Sequence, residues 1–128
     1  MPLQAARRDS TMETGLKHDL IVTIVKKGGC EKIVKASREA GAEGATIIPA
    51  RGTGIHEQKK LLGIPIEPEK DIVLTIIKAE KTESVLNAII KAGKLNQEAT
   101  GIAFVLDLKK VVGVVHLVRA LGLEEKNL

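Results

Sequence analysis

The chain has 128 residues, a formal charge of +4, a single cysteine and one aromatic residue, Phe104. This length suits one domain around one core, and no apolar run approaches the roughly 20 residues of a membrane span. One cysteine excludes an internal disulfide and a cysteine-cluster metal site and fits a reducing, cytoplasmic setting. One aromatic excludes the paired stacking platforms on which sheets read RNA, so no nucleic-acid partner is expected.

Residues 1 to 18 are polar, with Arg7 and Arg8 and no apolar stretch behind them. They read as a disordered leader rather than a signal peptide. Leu20 to Lys26 is the first strand, and its alternate positions Leu20/Val22/Ile24 and Ile21/Val25 are apolar on both faces. A helical period covers Glu31 to Ala40, with Ile33, Val34 and Ala40 on the buried side. Glu31 complements the helix dipole in the first turn, and Gly41 is the stop. Ala45 to Ile48 is the second strand. The connector Arg51 to Lys70 follows, and a compact domain has little use for about 20 such residues unless they bind something. It is the leading functional element.

The third strand starts at Asp71, with Ile72/Leu74/Ile76 and Val73/Ile77 again apolar on both faces. The second helix starts after Thr82 or Glu83, carries the stripe Val85, Leu86, Ile89 and Ile90, and takes Gly93 as its C′ residue. Ile102 to Leu106 is the fourth strand. Lys109 to Val115 can add a short extra strand, His116 to Leu123 has weak helical periodicity, and residues 119 to 128 read as a flexible tail. The domain is placed at 19 to 118.

Residues 19 to 41 and 71 to 93 are two copies of one pattern, offset by 52 positions. Asp19-Leu-Ile-Val-Thr-Ile-Val-Lys26 aligns without a gap on Asp71-Ile-Val-Leu-Thr-Ile-Ile-Lys78, and the match runs through Glu31/Glu83 and Ala36/Ala88 to Gly41/Gly93. A β-α-β unit used twice is the split ferredoxin-like architecture, an α+β fold. In that topology strands one and three are the central pair. Helices cover one face, so the second apolar face must meet something else, and copies of the same sheet are the simplest candidate.

Gly52-Thr53-Gly54 at the head of the connector can approach an anion with consecutive N–H groups, or serve only as a hinge. Thr100-Gly101 is a second glycine turn at the same edge of the sheet, and the two can meet across a subunit boundary. His56 and Glu57 are adjacent on the connector, but no histidine has metal-ligand spacing. Cys30 precedes the first helix, matches Thr82 in the repeat and has no base placed to activate it. No acid–base pair is evident, and no enzyme is read.

Gly41-Ala42-Glu43-Gly44-Ala45-Thr46, Arg51-Gly52-Thr53-Gly54 and Gly101-Ile102-Ala103-Phe104-Val105-Leu106 together resemble the PII-type signal-transduction proteins, above all their divergent PII-like relatives. The resemblance implies a homotrimer of ferredoxin-like subunits that binds an adenine nucleotide (ADP, AMP or ATP) in inter-subunit clefts. It also implies that the long loop signals to a membrane transporter or a metabolic enzyme. Carried over, Thr46 falls where the family contacts adenine and Ile77 on the strand flanking the base. Gly52 and Gly54 fall at the loop base over the nucleotide, and Thr100 and Gly101 in the second phosphate-contacting turn.

Several positions depart from that pattern. A family glycine is Ala99, the following lysine is Ile102, the loop-base glutamine is His56, and two late arginines are Gly113 and Val115. Charge-assisted bonds are worth roughly 1.5–3 kcal/mol each, so ADP or AMP, or another small anion, is expected before ATP. Arg51, Lys109, Lys110 and Arg119 are the candidates to restore charge. The chain has no tyrosine to uridylylate and the connector no serine to phosphorylate. The alternative is a metal-binding trimer resembling the copper-tolerance proteins, through His56, Glu57 and Cys30.

Overall fold

In the split β-α-β topology the two repeated strands lie side by side and antiparallel at the centre of the sheet, each feeding a helix over the same face. The computed structural model describes residues 17–54 and 59–113 and shows this arrangement. In chain order the elements are β1 (His18–Lys26), α1 (Cys30–Glu39), β2 (Thr46–Arg51), β3 (Lys59–Leu61), β4 (Ile64–Ile66) and β5 (Glu69–Lys78). A 3₁₀ turn (Ala79–Lys81), α2 (Thr82–Gly93) and β6 (Gly101–Leu108) complete them. The main sheet has the order β2-β5-β1-β6 with all pairs antiparallel, so the two repeated strands are central as expected.

α1 and α2 lie on one face, over Ile21, Val25, Val73 and Ile77, and contribute Ile33, Val85 and Ile89 to the core. Thr23 and Thr75, which occupy the same place in the two repeats, point into this layer fully buried. Neither hydroxyl has a hydrogen-bond partner among the described residues. The opposite face carries no helix among the described residues and is called the open face below. Across it run the rows Ile48–Ile72–Ile24–Ile102, Thr46–Leu74–Val22–Phe104 and Ile76–Leu20–Leu106. Ile48 is 41%, Ile76 47%, Ile102 55%, Phe104 41% and Leu106 47% exposed, which makes a wide apolar patch.

The duplication also joins the halves. At the start of β1, Asp19 Oδ2 accepts the Thr82 hydroxyl at 2.6 Å, tying the first repeat to the start of α2. At the start of β5, Asp71 Oδ2 accepts the Gly28 N–H at 2.9 Å beside the start of α1. Each half thus lends an aspartate to the helix entry of the other. Charge-assisted bonds of this kind are about twice as strong as neutral ones.

Three local expectations change. α1 ends as predicted, with Gly41 at φ +119° and the Gly41 and Ala42 N–H groups bonded to the Arg38 and Ser37 carbonyls. α2 runs one residue further, so the left-handed residue is Lys94 (φ +53°) rather than Gly93. Gly93 is needed for space instead, since a Cβ there would stand 3.0 Å from both Ile33 Cδ1 and Leu95 Cδ2.

The connector is not structureless either. β3 and β4 pair into a small hairpin turned at Leu62-Gly63, both at positive φ, the two-residue turn whose twist matches its strands. From Lys109 to Gly113 the chain makes an isolated bridge at Val112 rather than a strand; the rest of that expected strand and the helical 116–123 lie outside the described residues. No helix among the described residues is long and apolar enough to cross a membrane.

Candidate functional site

β2 leaves the sheet at Arg51, and the connector must come back to β5 at Glu69. The two ends are pinned where they part: Gly52 N–H donates to the Pro68 carbonyl at 3.1 Å, and Lys27 pairs with Glu69 at 2.9 Å. Over this pinned base lies a hollow of about 540 Å³ on the open face of the sheet. Ile24, Ile72 and Ile102 form its floor, Arg51, Gly52, Thr53 and Gly54 one wall, and Ala99 and Gly101 the other, with Lys70 also lining it. Most of the residues singled out in the sequence therefore converge within one subunit. No subunit boundary is needed to bring the two glycine turns together.

Their local geometry differs from one to the next. Gly52 has an ordinary φ, open space where a Cβ would stand, and an N–H already spent on Pro68. It holds the loop base rather than offering its amide to an anion. Gly101 is the position where only glycine fits: its φ is +152°, and a Cβ would lie 2.5 Å from the Ile24 carbonyl oxygen. Ala99 has φ +61°, so the turn keeps a left-handed path at the place where the family carries glycine. Thr100 does not line the hollow. Its hydroxyl donates within its own turn, to the carbonyls of Lys94 at 2.9 Å and Gln97 at 3.0 Å.

Thr46 and Ile77 stand apart from this group. They border a second hollow, of about 380 Å³, at the other end of the sheet with Leu20, Leu74, Lys78 and Lys81. From Thr46 to Arg51 is five strand steps, roughly 17 Å at the usual rise. Ile77 is also part of the helix-facing core, which commits most of its side chain to packing. His56 lies outside the described residues, with Glu57 and Arg119. Lys109 and Lys110 follow the far end of β6, away from the first hollow in the same subunit.

The sequence reading missed Lys70, Ile24 and Ile72. Lys70 is only 8% exposed, unusual for a lysine. The alternation of β5 carried its signal, since Lys70 has the same parity as Ile72 and Leu74 and so belongs to the open face. Of the three proposed metal ligands, Cys30 is described. It lies at the start of α1, where burial first and then the Asp71 carboxylate hold its thiol above the ordinary pKa. That keeps it protonated at neutral pH, the opposite of an activated nucleophile. No cluster of three potential ligands occurs among the described residues.

The sequence model of the family described as nitrogen regulatory protein P-II matches residues 18–116. Among solved structures, the chain is similar to Arabidopsis thaliana PII bound to citrate, with a TM-score of 0.62 at 24% identity over 78% of this chain and 85% of that one. It is also similar to the B. subtilis GlnK–ATP complex, with a TM-score of 0.61 at 13% identity over 77% and 88%. No curated protein sequence matches it. A family match across the whole β1–β6 domain, on a sheet of the same fold as those structures, places this chain in the nitrogen regulatory P-II protein family.

Proposed function

We propose that this chain is a non-enzymatic, ligand-sensing regulator. It takes an adenine nucleotide, ADP or AMP before ATP, or another small anion, and does so at clefts completed by neighbouring subunits of a homotrimer. The connector 51–70 is the element that touches a partner, a transporter or a metabolic enzyme. Ligand occupancy of the hollow favours one connector state, because the connector base is its wall. A cytoplasmic setting suits the free thiol of Cys30.

The observation that carries this reading is the hollow itself: it joins both glycine turns, its charged lining residues are Arg51 and Lys70, and it opens on an apolar sheet face. Two findings support the inter-subunit cleft. Among the described residues, no helix or loop covers the apolar face. The two groups of carried-over residues stand at opposite ends of one sheet, so a small ligand meets both only where a second copy brings its Thr46 end to the first copy's Arg51 end. The ligands named for the similar structures, citrate and ATP, are both anions.

Titration with ADP, AMP and ATP, with and without magnesium, tests the reading. Ligand at about 100 Kd stabilises the fold by roughly 2.7 kcal/mol, a readily measured rise in melting temperature. No thermal shift and no heat with any of the three ends the nucleotide proposal.

A further inference from the structure

Resting on the reading of the hollow as the ligand site, we infer that Lys70, together with Arg51, supplies the positive charge that holds the ligand's phosphate-type anion. The anion is then gripped within one subunit, from β5 and β2, rather than from β6.

Lys70 projects from the open face of β5, one alternation before Ile72, and stands opposite Ala50 of β2. A small residue across the strand pair leaves the lysine stem room to turn into the hollow. The side chain is buried and lines the hollow with Arg51, and no carboxylate is among the described lining residues. Lys70 already takes part in an interaction within the chain, which an incoming anion joins or replaces. The floor of Ile24, Ile72 and Ile102 keeps water from one side, so charge pairing above it is less screened than on open surface.

Ile102, where the resemblance expects a lysine, stands in the same cross-sheet row as Ile72, on the other side of β1. Lys70 therefore reaches the same hollow from the opposite flank. Its neighbour Glu69 pairs with Lys27 at 2.9 Å. Two cations suit one or two phosphates better than three, which gives the expected preference for AMP or ADP a local cause.

The test uses the full chain with inorganic pyrophosphate, ADP and adenosine as probes in calorimetry at physiological ionic strength. Lys70→Met keeps the buried aliphatic stem and removes the charge. It should weaken both pyrophosphate and ADP about 10- to 100-fold, the worth of one charge-assisted bond, with adenosine unchanged, while Lys70→Arg retains binding. Arg51→Gln, on an exposed side chain, should weaken the same two probes in the same direction. It carries the test alone if Lys70→Met lowers the melting temperature of the ligand-free protein.

Binding of pyrophosphate by Lys70→Met within twofold of the parent, on an intact fold, overturns the inference and leaves the nucleotide reading standing. Where Arg51→Gln carries the test, unchanged binding of both probes overturns it likewise. Parent protein that binds pyrophosphate in a Lys70-dependent way but neither ADP nor adenosine supports the inference and removes the nucleotide. A parent that binds none of the probes removes both.

Discussion

Replacing Leu106 by lysine should leave each subunit folded and take the proposed trimer apart. Leu106 lies on the edge strand β6, on the open face beside Leu20, and 47% of it remains in water in the single subunit. Burying a whole leucine is worth roughly 1.5–3 kcal/mol, so covering the remaining half adds about 1 kcal/mol. Ile48, Ile76, Ile102 and Phe104 are similarly half-exposed, so the face as a whole offers on the order of 5 kcal/mol per subunit, before the cost of association. A lysine at 106 removes its share. It also places an unpaired ammonium within the apolar face, at a cost of several kcal/mol for every subunit if that face is buried.

Sedimentation velocity across a concentration series reads the outcome. The parent should sediment as a trimer at about micromolar concentration and Leu106→Lys as a single subunit, with the far-ultraviolet dichroism of the parent. Nucleotide affinity should fall with the assembly, while pyrophosphate, held inside one subunit, should be affected less. A parent that sediments as one subunit at these concentrations, or a Leu106→Lys variant with the parent's mass, refutes the reasoning from the open face.

Gly101→Ala should destabilise by about 3 kcal/mol or more, from the clash with the Ile24 carbonyl and the left-handed φ, whereas Gly52→Ala should change denaturant stability by less than about 1 kcal/mol. Thr23→Val and Thr75→Val each replace a buried hydroxyl without a described partner by a methyl group of the same shape, and each should stabilise by about 1 kcal/mol in chemical denaturation. Cys30 has a raised pKa in the fold, so the stability it contributes is complete below the pKa of the thiol in the unfolded chain and is lost as pH rises through the folded value. Cys30→Thr, which copies the residue at the matching place in the second repeat, should therefore lose less stability on alkalinisation than the parent; parallel pH profiles would show that burial and Asp71 do not hold the thiol.

What the sequence determined is what repeats. Two copies of Asp, a six-residue run rich in β-branched residues and a helical period fix the split β-α-β topology, the central pairing of β1 and β5, and the apolar character of both sheet faces, because strand alternation and helical period are local properties of the chain. The glycine turns could be named from the sequence for the same reason. Their work could not. Gly52 and Gly101 look alike in sequence, yet one ties a loop base through its N–H and the other makes room for the Ile24 carbonyl, and both duties depend on segments far away in the chain. The one-residue extension of α2 to include Gly93 was equally hidden, since the close approach of Ile33 to that glycine comes from a distant part of the chain.

Lys70 was overlooked because it closes a charged stretch beside Glu69 and looks solvated there. In the fold it is buried on β5 opposite Ala50 and lines the hollow. Tertiary structure alone also separated Thr46 and Ile77 from the rest of the site. Residues a few positions apart on a strand stand far apart in space, while β2 and β6, on opposite edges of the sheet, meet over one floor of isoleucines.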